Sequence, residues 1–215
     1  MTKAVLFDLD GVLVSTDEYH YRSWVKIAEE EGFAFFDHKF NDKFRGVARL
    51  ECVEILTKAS GREYSKEQKL DIAERKNKYF AESLSQVTPR ELLPGSLKTL
   101  KDLRTRGIKI AVASNSRNAQ TIVDQTKIGE YLDTIVDGYQ IENSKPDPEG
   151  FLLAAKKLGV APAECLVIED AVTGIEAAKR AGMKSLGIGE KGRIPNADVV
   201  VPNLGVISVD RLLEL

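Results

Sequence analysis

KAVLFDLDGVL, residues 3–13, is the stretch from which the fold is read. Its first half, Lys3–Phe7, is a short apolar run whose two sides are equally apolar, the pattern of a parallel strand buried on both faces. The run ends in Asp8, Leu9, Asp10 and Gly11, where polarity and a glycine arrive together. Comparable runs recur at Ile108–Ser114, Asp133–Asp137, Cys165–Asp170, Lys184–Gly189 and Asp198–Val201. Between most of them lie amphipathic stretches of helical period: Gly95–Arg106 closed by Gly107, Pro148–Leu158 closed by Gly159, and Val172–Ala181 closed by Gly182. Glycine just past a helix end is a stop signal. Strand and helix alternating in this way predict an α/β fold with a Rossmann-like, doubly wound parallel sheet.

Residues 15–92 break the alternation. Asp17–Glu31, Lys43–Lys58 and Lys66–Ser85 each read as helix, with no convincing strand between them. The expected organisation is a sheet domain of residues 1–14 and 93–215 and an all-helical cap of residues 15–92 inserted after the first strand. Thr88, Pro89 and Pro94 mark the return to the sheet. A helical lid joined through two crossings is built to move as a unit over the edge of a sheet.

Composition narrows the function classes. The chain has 215 residues, 43% of them hydrophobic and 30% charged, which is ordinary for a folded globular protein. The net charge of -2 is spread along the chain, with none of the basic faces that mark nucleic-acid binding, so no nucleic-acid partner is expected. No apolar run approaches the roughly 18–20 residues that span a membrane, so no membrane partner is expected either. Cys52 and Cys165 stand in no metal-ligand or CxxC spacing and read as reduced thiols. The acidic turn Asp8–Asp10 arrives too early for a signal sequence, and a cytoplasmic, monomeric enzyme is expected.

Ligands of open parallel sheets bind beyond the carboxyl ends of the strands. The first strand delivers Asp8 and Asp10 there, the second Ser114, Asn115 and Ser116, and the CLVI strand Glu169 and Asp170, while Lys145 precedes the Pro148 helix. Four carboxylates meeting at one rim would repel one another without a cation. Their hard oxygens suit Mg²⁺, which takes one or two carboxylates plus phosphate and water. Lys145 and the Ser114 hydroxyl suit phosphoryl oxygens. A carboxylate can attack phosphorus to form an aspartyl-phosphate. Asp10, two residues after Asp8 on extended chain, lies on the same side and can serve as general acid and base. A single DxD or Lys-Pro is a common turn or loop; the ordered set at successive strand ends carries the reading.

DLDGVL (Asp8–Leu13), ASNS (Ala113–Ser116), NSKPDP (Asn143–Pro148) and VIEDAVTGIEAAKRAG (Val167–Gly182) resemble the four signature motifs of the haloacid dehalogenase superfamily. The resemblance implies Asp8 as nucleophile, Asp10 as general acid and base, and Ser114 and Lys145 as holders of the transferring phosphoryl group. It implies Mg²⁺ among Asp8, Asp10, Glu169 and Asp170, with Asp10 ligating through its backbone carbonyl. DEYHYRSW (Asp17–Trp24), FNDKFRGVAR (Phe40–Arg49) and ERKNKYF (Glu74–Phe80) are similar to the cap of the beta-phosphoglucomutase family. That family interconverts beta-D-glucose 1-phosphate and glucose 6-phosphate through beta-glucose 1,6-bisphosphate, so the implied partner is a small sugar phosphate. The cycle needs a second phosphate site, for which Arg49 is the matching cap residue, joined by Arg117 and Asn118 from the sheet side, with Asn115 and Ser116 beside them as further substrate-binding residues. A guanidinium suits bidentate phosphate recognition. His20 would steady Asp10, Trp24 and Lys76 would line the sugar pocket, and Gly46 and Val47 would shape the specificity loop.

Without the resemblance, Trp24 reads as a cap-core residue with His20 beside it on the same helix face, and Arg49 and Lys76 read as surface charges. The chain also departs from the family pattern. Ser15 replaces the usual hinge aspartate, Ala48 and Cys52 replace serines near Arg49, and Arg117 replaces a lysine. These departures bear on sugar specificity and lid movement and leave Asp8, Asp10, Lys145 and Asp170 in place. Two other readings stay open: a sugar-phosphate phosphatase on the same site, and a binding protein that kept the fold without the activity. The second would show as a missing Asp8, Asp10 or Lys145, and all three are present.

Overall fold

The computed structural model describes residues 2–44, 47–190 and 192–215. The chain divides into two compact units, one of Met1–Ser15 and Val87–Leu215, the other of Thr16–Gln86. The first holds strands β1 (Ala4–Phe7), β2 (Lys109–Ala113), β3 (Thr134–Val136), β4 (Cys165–Glu169), β5 (Lys184–Ile188) and β6 (Val199–Val201). The helices in chain order are α1 (Asp17–Glu31), α2 (His38–Asn41), α3 (Arg49–Ser60), α4 (Lys66–Ser83), α5 (Ser96–Thr105), α6 (Ala119–Thr126), α7 (Glu149–Leu158), α8 (Val172–Arg180) and α9 (Val209–Leu213).

The six strands form one parallel sheet in the order β3-β2-β1-β4-β5-β6. The chain starts in the middle, moves outward through β2 and β3, then returns to β4 beside β1. That reversal puts the topological switch point between β1 and β4, where α/β sheets bind ligands. Register sharpens it: Phe7 lies level with Val112 on one side and Ile168 on the other. Asp8, Ala113 and Glu169 therefore leave the sheet at the same height.

Every side chain of β1 is fully buried. Ala4 and Leu6 point to one face, where Ala111, Ala113, Cys165 and Val167 meet Phe151, Ala154 and Ala155 of α7 and Ala177 and Ala178 of α8. By the alternation of a strand, Val5, Phe7, Ile110, Val112, Leu166 and Ile168 face the other side, also fully buried. Burial on both faces explains why these strands read as unbroken apolar runs. The expected stop glycines take left-handed φ at 68° (Gly107), 67° (Gly159) and 71° (Gly182).

The helical unit has its own core of Trp24, Ile27, Ala28, Phe33, Phe44, Cys52, Val53, Leu56, Ile72 and Ala73. Its longest helix, α4, starts from a capping box in which Ser65 and Gln68 satisfy each other's backbone N–H. The helix expected at Lys43–Lys58 begins only at Arg49, because Asp42–Phe44 closes into a 3₁₀ turn. Short helices α2, α6 and α9 were not expected from the sequence. Gly46 lies outside the described residues. Both cysteines are free and buried, and burial pushes their thiols up, Cys52 to about 12 and Cys165 to about 11. Among the described residues no helix is long and apolar enough to cross a membrane.

Candidate active site

Asp8 is fixed by the end of β1: its backbone N–H donates to Ile168 O at 2.9 Å, one last rung of the β1–β4 ladder. The DLDG segment then turns back on itself, with Gly11 N–H donating to Val14 O at 2.8 Å and Leu13 N–H to Leu9 O at 3.0 Å. Gly11 sits at φ 84°, and a Cβ there would lie 2.2 Å from Asp170 Oδ2, so the turn requires glycine both for conformation and for room.

Lys145 gathers the strand ends. Its Nζ donates to Asp8 Oδ1 at 2.5 Å, Glu169 Oε2 at 2.8 Å and Ala113 O at 3.0 Å, satisfying all three ammonium protons. Its backbone N–H donates to Asn115 Oδ1 at 3.2 Å, so the side chain of Asn115 holds the lysine loop against β2. The other oxygen of Glu169 accepts from the N–H groups of Asp170 at 3.2 Å and Ala171 at 3.1 Å. Ser114 is buried, and its Oγ accepts from Ser116 N–H at 3.2 Å, while Ser116 Oγ accepts from Asn118 N–H at 3.2 Å. These two turns aim the backbone of residues 114–118 toward the same edge of the sheet.

The electrostatics of the cluster are lopsided. Oxygens of Asp8, Glu169 and Asp170 all lie within 4.8 Å of one another. Against three carboxylates stands one ammonium. Burial alone would lower Lys145, but Asp8 and Glu169 outweigh it and hold the ammonium strongly protonated. Burial pushes Glu169 up, opposed by Lys145. Asp170 keeps one side open to solvent; removal of water from its other side, then the charges of Asp8, Glu169 and Asp10, push its carboxyl up to about 8. Such a shift marks surplus negative charge. A donor set made of carboxylate oxygens with two charges uncompensated fits a divalent cation of the hard class.

The remaining candidates belong to the helical unit. Trp24 is 3% exposed, as its core reading anticipated. Lys76 departs from its surface reading: it too is 3% exposed, with its ammonium 4.7 Å from the ring centre of Phe80 and 5.2 Å from that of Trp24. Its Nζ lies 2.5 Å from His20 Nδ1, and the imidazole stacks on Phe80 at 3.8 Å. Burial first, then the charges of Lys76 and Arg49, hold His20 well below the usual histidine range. The imidazole is therefore neutral at physiological pH. Because an ammonium only donates, Nδ1 accepts and the ring proton sits on Nε2. His20, Lys76 and Trp24 thus form one cationic, aromatic-walled group within reach of the Arg49 charge, and Val47 packs against the helical core.

Two supporting residues were given no role in the sequence reading. Glu149, in the first turn of α7, accepts from the N–H groups of Glu142 and Asn143, both at 2.9 Å, and so fixes the loop that delivers Lys145. A glutamate at a helix start reads as an ordinary dipole partner. Gly174 gives Glu169 its room: a Cβ there would lie 2.0 Å from the carboxyl carbon.

A family profile for haloacid dehalogenase-like hydrolases matches residues 2–182. The chain is 40% identical over 214 residues to the beta-phosphoglucomutase of Bacillus subtilis (strain 168), covering 99% of this chain and 94% of that protein. It is 33% identical over 187 residues to a phosphorylated carbohydrates phosphatase of Thermotoga maritima, covering 86% of this chain and 83% of that one. Its fold matches the crystal structure of beta-phosphoglucomutase from Clostridium difficile with a TM-score of 0.90 at 36% identity, covering 100% of this chain and 96% of that one. With its Asp8 turn, Lys145 and acidic β4 end all inside the matched stretch, the chain belongs to the haloacid dehalogenase-like hydrolase family.

Proposed function

We propose that the chain is a sugar-phosphate mutase that interconverts beta-D-glucose 1-phosphate and glucose 6-phosphate through an aspartyl-phosphate at Asp8 and a beta-glucose 1,6-bisphosphate intermediate. The observation that supports this most is the second cationic group in the helical unit, where Arg49 lies close enough to His20 to depress its basicity and Lys76 is buried beside it. Simple hydrolysis of one phosphate ester makes no use of such a group. A bisphosphate, which must be held by the phosphate that is not reacting, does.

In this reading the Asp8 carboxylate attacks phosphorus of the bisphosphate, and the sugar oxygen departs with a proton from Asp10. For the second transfer Asp10 takes the proton from the sugar hydroxyl as that oxygen attacks the aspartyl-phosphate. Lys145 and Ser114 hold the transferring phosphoryl oxygens, a task of placement and charge neutralisation. Arg49, with Arg117 and Asn118, holds the other phosphate, and Asn115 and Ser116 line the substrate site beside them. Trp24, Lys76 and Val47 contact the sugar, and the Nε2–H of neutral His20 steadies Asp10. Mg²⁺ is the proposed cation, held by Asp8, Asp10, Glu169 and Asp170, and when bound it supplies charge neutralisation to the phosphoryl oxygens.

A second reading, a sugar-phosphate phosphatase, is favoured by the Thermotoga maritima relative and by Ser15 at the crossing into the helical unit. There water takes the phosphoryl group from Asp8. The two part in one assay: beta-D-glucose 1-phosphate with Mg²⁺ and a trace of glucose 1,6-bisphosphate, following glucose 6-phosphate and free phosphate together. Glucose 6-phosphate without free phosphate supports the mutase. Free phosphate as the main product overturns it in favour of the phosphatase.

A further inference from the structure

Tyr139 is the most exposed of the chain's large apolar side chains among the described residues, at 73% of its surface. A ring left that open is ordinarily held by nothing. Here the backbone beneath it is fixed from both sides. Tyr139 N–H donates to Asp137 Oδ1 at 3.0 Å and Gln140 N–H to Asp137 O at 3.0 Å, closing a tight turn directly after β3. Gln140 is tied down in turn, its Nε2 donating to Ile135 O at 3.3 Å and its Oε1 accepting from Lys157.

This turn is sewn to the loop that follows β2. Gly138 N–H donates to Ser116 O at 3.1 Å. The two backbones approach so closely that a Cβ on Gly138 would lie 2.4 Å from Asn115 O and 3.1 Å from Arg117 Cγ. The outcome is that the Tyr139 ring lies 5.3 Å from the guanidinium carbon of Arg117. Arg117 is exposed, and no carboxylate among the described residues pairs with it. A guanidinium resting on an aromatic face is orientationally restrained while its N–H edge stays free to donate.

We propose that Tyr139 is a positioning residue for phosphate recognition: its ring fixes the Arg117 guanidinium so that the N–H edge is presented for a bidentate pair with the non-reacting phosphate of the substrate. The inference rests on the reading that Arg117 binds a phosphate, and adds what orients it. An unrestrained arginine must lose side-chain freedom on binding; Tyr139 imposes part of that restriction beforehand, so its effect falls on affinity rather than on the rate of the bound complex.

The test compares Tyr139→Ala, Tyr139→Phe, Arg117→Ala and the double variant, each checked for an unchanged thermal melt. Two readouts are used: Kd for inorganic phosphate by calorimetry, and KM and kcat for whichever product the enzyme forms. Tyr139→Ala is expected to raise Kd and KM by about two- to fivefold, the scale of an exposed cation–π contact, with kcat moving far less. Tyr139→Phe, which keeps the ring, is expected to restore wild-type values. In the Arg117→Ala background, Tyr139→Ala is expected to add nothing. If Arg117→Ala weakens phosphate binding but Tyr139→Ala does not, or if the two losses add, the positioning role is wrong while the phosphate reading stands. If Arg117→Ala leaves phosphate affinity unchanged, both fall.

Discussion

Glu169 has both oxygens committed, one to Lys145 and one to the backbone of residues 170–171, and it occupies the space that a side chain at Gly174 would fill. A glycine inside a helix normally costs about 1 kcal/mol relative to alanine, so Gly174→Ala would ordinarily stabilise α8. Here the added methyl meets the carboxyl at 2.0 Å, and steric overlap outweighs propensity. Gly174→Ala is expected to lower Tm and reduce turnover at least tenfold by displacing Glu169 and, through it, Lys145; calorimetry and a phosphate-release assay read the two. Asp170 gives a second test. Its carboxyl rises from 3.8 in the unfolded chain to about 8 in the folded one. Between those values the folded state holds a proton the unfolded state has released, so without metal the stability contributed by that proton is lost as pH climbs toward 8. Asp170→Asn is expected to flatten that fall in EDTA and to abolish the rise in Tm that Mg²⁺ gives the wild type at pH 8. At this scale the sequence pointed to Asp8, Glu169 and Asp170, which the structure brings together, because they stand where apolar runs end. Glu149, Gly174 and Tyr139 were not legible, because their contacts with the Glu142–Asn143 loop, with Glu169 and with Arg117 depend on how the intervening turns close, which no residue pattern announces.

Among the elements, α1 is instructive because its end defies the helix dipole. It closes with Glu29, Glu30 and Glu31 and has no basic residue in its last turn. Carboxylates at a helix C-terminus are unfavourable. The correction comes from α4: Arg75 reaches Glu30 and Glu31, both at 2.5 Å, as well as its own Asp71 at 2.7 Å, while Tyr79 donates to Glu30 and Arg62 donates to Glu31 O at 2.8 Å. Arg75→Met is expected to cost about 1 kcal/mol, above the usual surface pair because the network is partly shielded, or about 2–4 °C in Tm. The His20 end of the same helix responds to acid. Its folded pKa lies well below 6.5, so below that value the unfolded chain takes a proton the folded one refuses, and stability falls with pH. His20→Asn is expected to keep Tm flatter than wild type between about pH 7 and 5, above the range where carboxylates take over. The periods of α1, α4, α5, α7 and α8 were plain in the sequence. The start of α3 was not, because Asp42–Phe44 keeps turning in 3₁₀ form and so mimics a continued helix. α6 escaped notice because it is only eight residues long and five of them are Thr, Ile, Val or Asp, of weaker helix propensity.

Over the whole molecule, the alternation of doubly apolar runs with amphipathic helices was enough to read the sheet unit, and its interruption was enough to read the helical insert. What alternation does not supply is strand order; that follows from the crossover rules and was left to the structure. Both functional readings share Asp8, so Asp8→Asn is expected to abolish glucose 6-phosphate formation and phosphate release alike. Arg49→Ala separates them: it is expected to lower mutase turnover by about a hundredfold, the loss of a bidentate phosphate contact, while slow hydrolysis changes far less. Full mutase activity with unchanged KM in that variant would remove Arg49 from the phosphate role.

The two crossings into the helical unit run side by side. Ser15 N–H donates to Glu91 O at 2.9 Å, Leu93 N–H donates to Leu13 O at 3.0 Å, and Val14 and Leu92 form an antiparallel bridge. The sheet unit thus meets the insert as a loop whose ends are already closed, and closing a loop costs little more when the loop is long than when it is short. The segment between Ser15 and Glu91 can therefore be lengthened, shortened or exchanged without retuning the sheet unit. What the paired crossings fix is the spacing at which the insert leaves and rejoins the sheet unit.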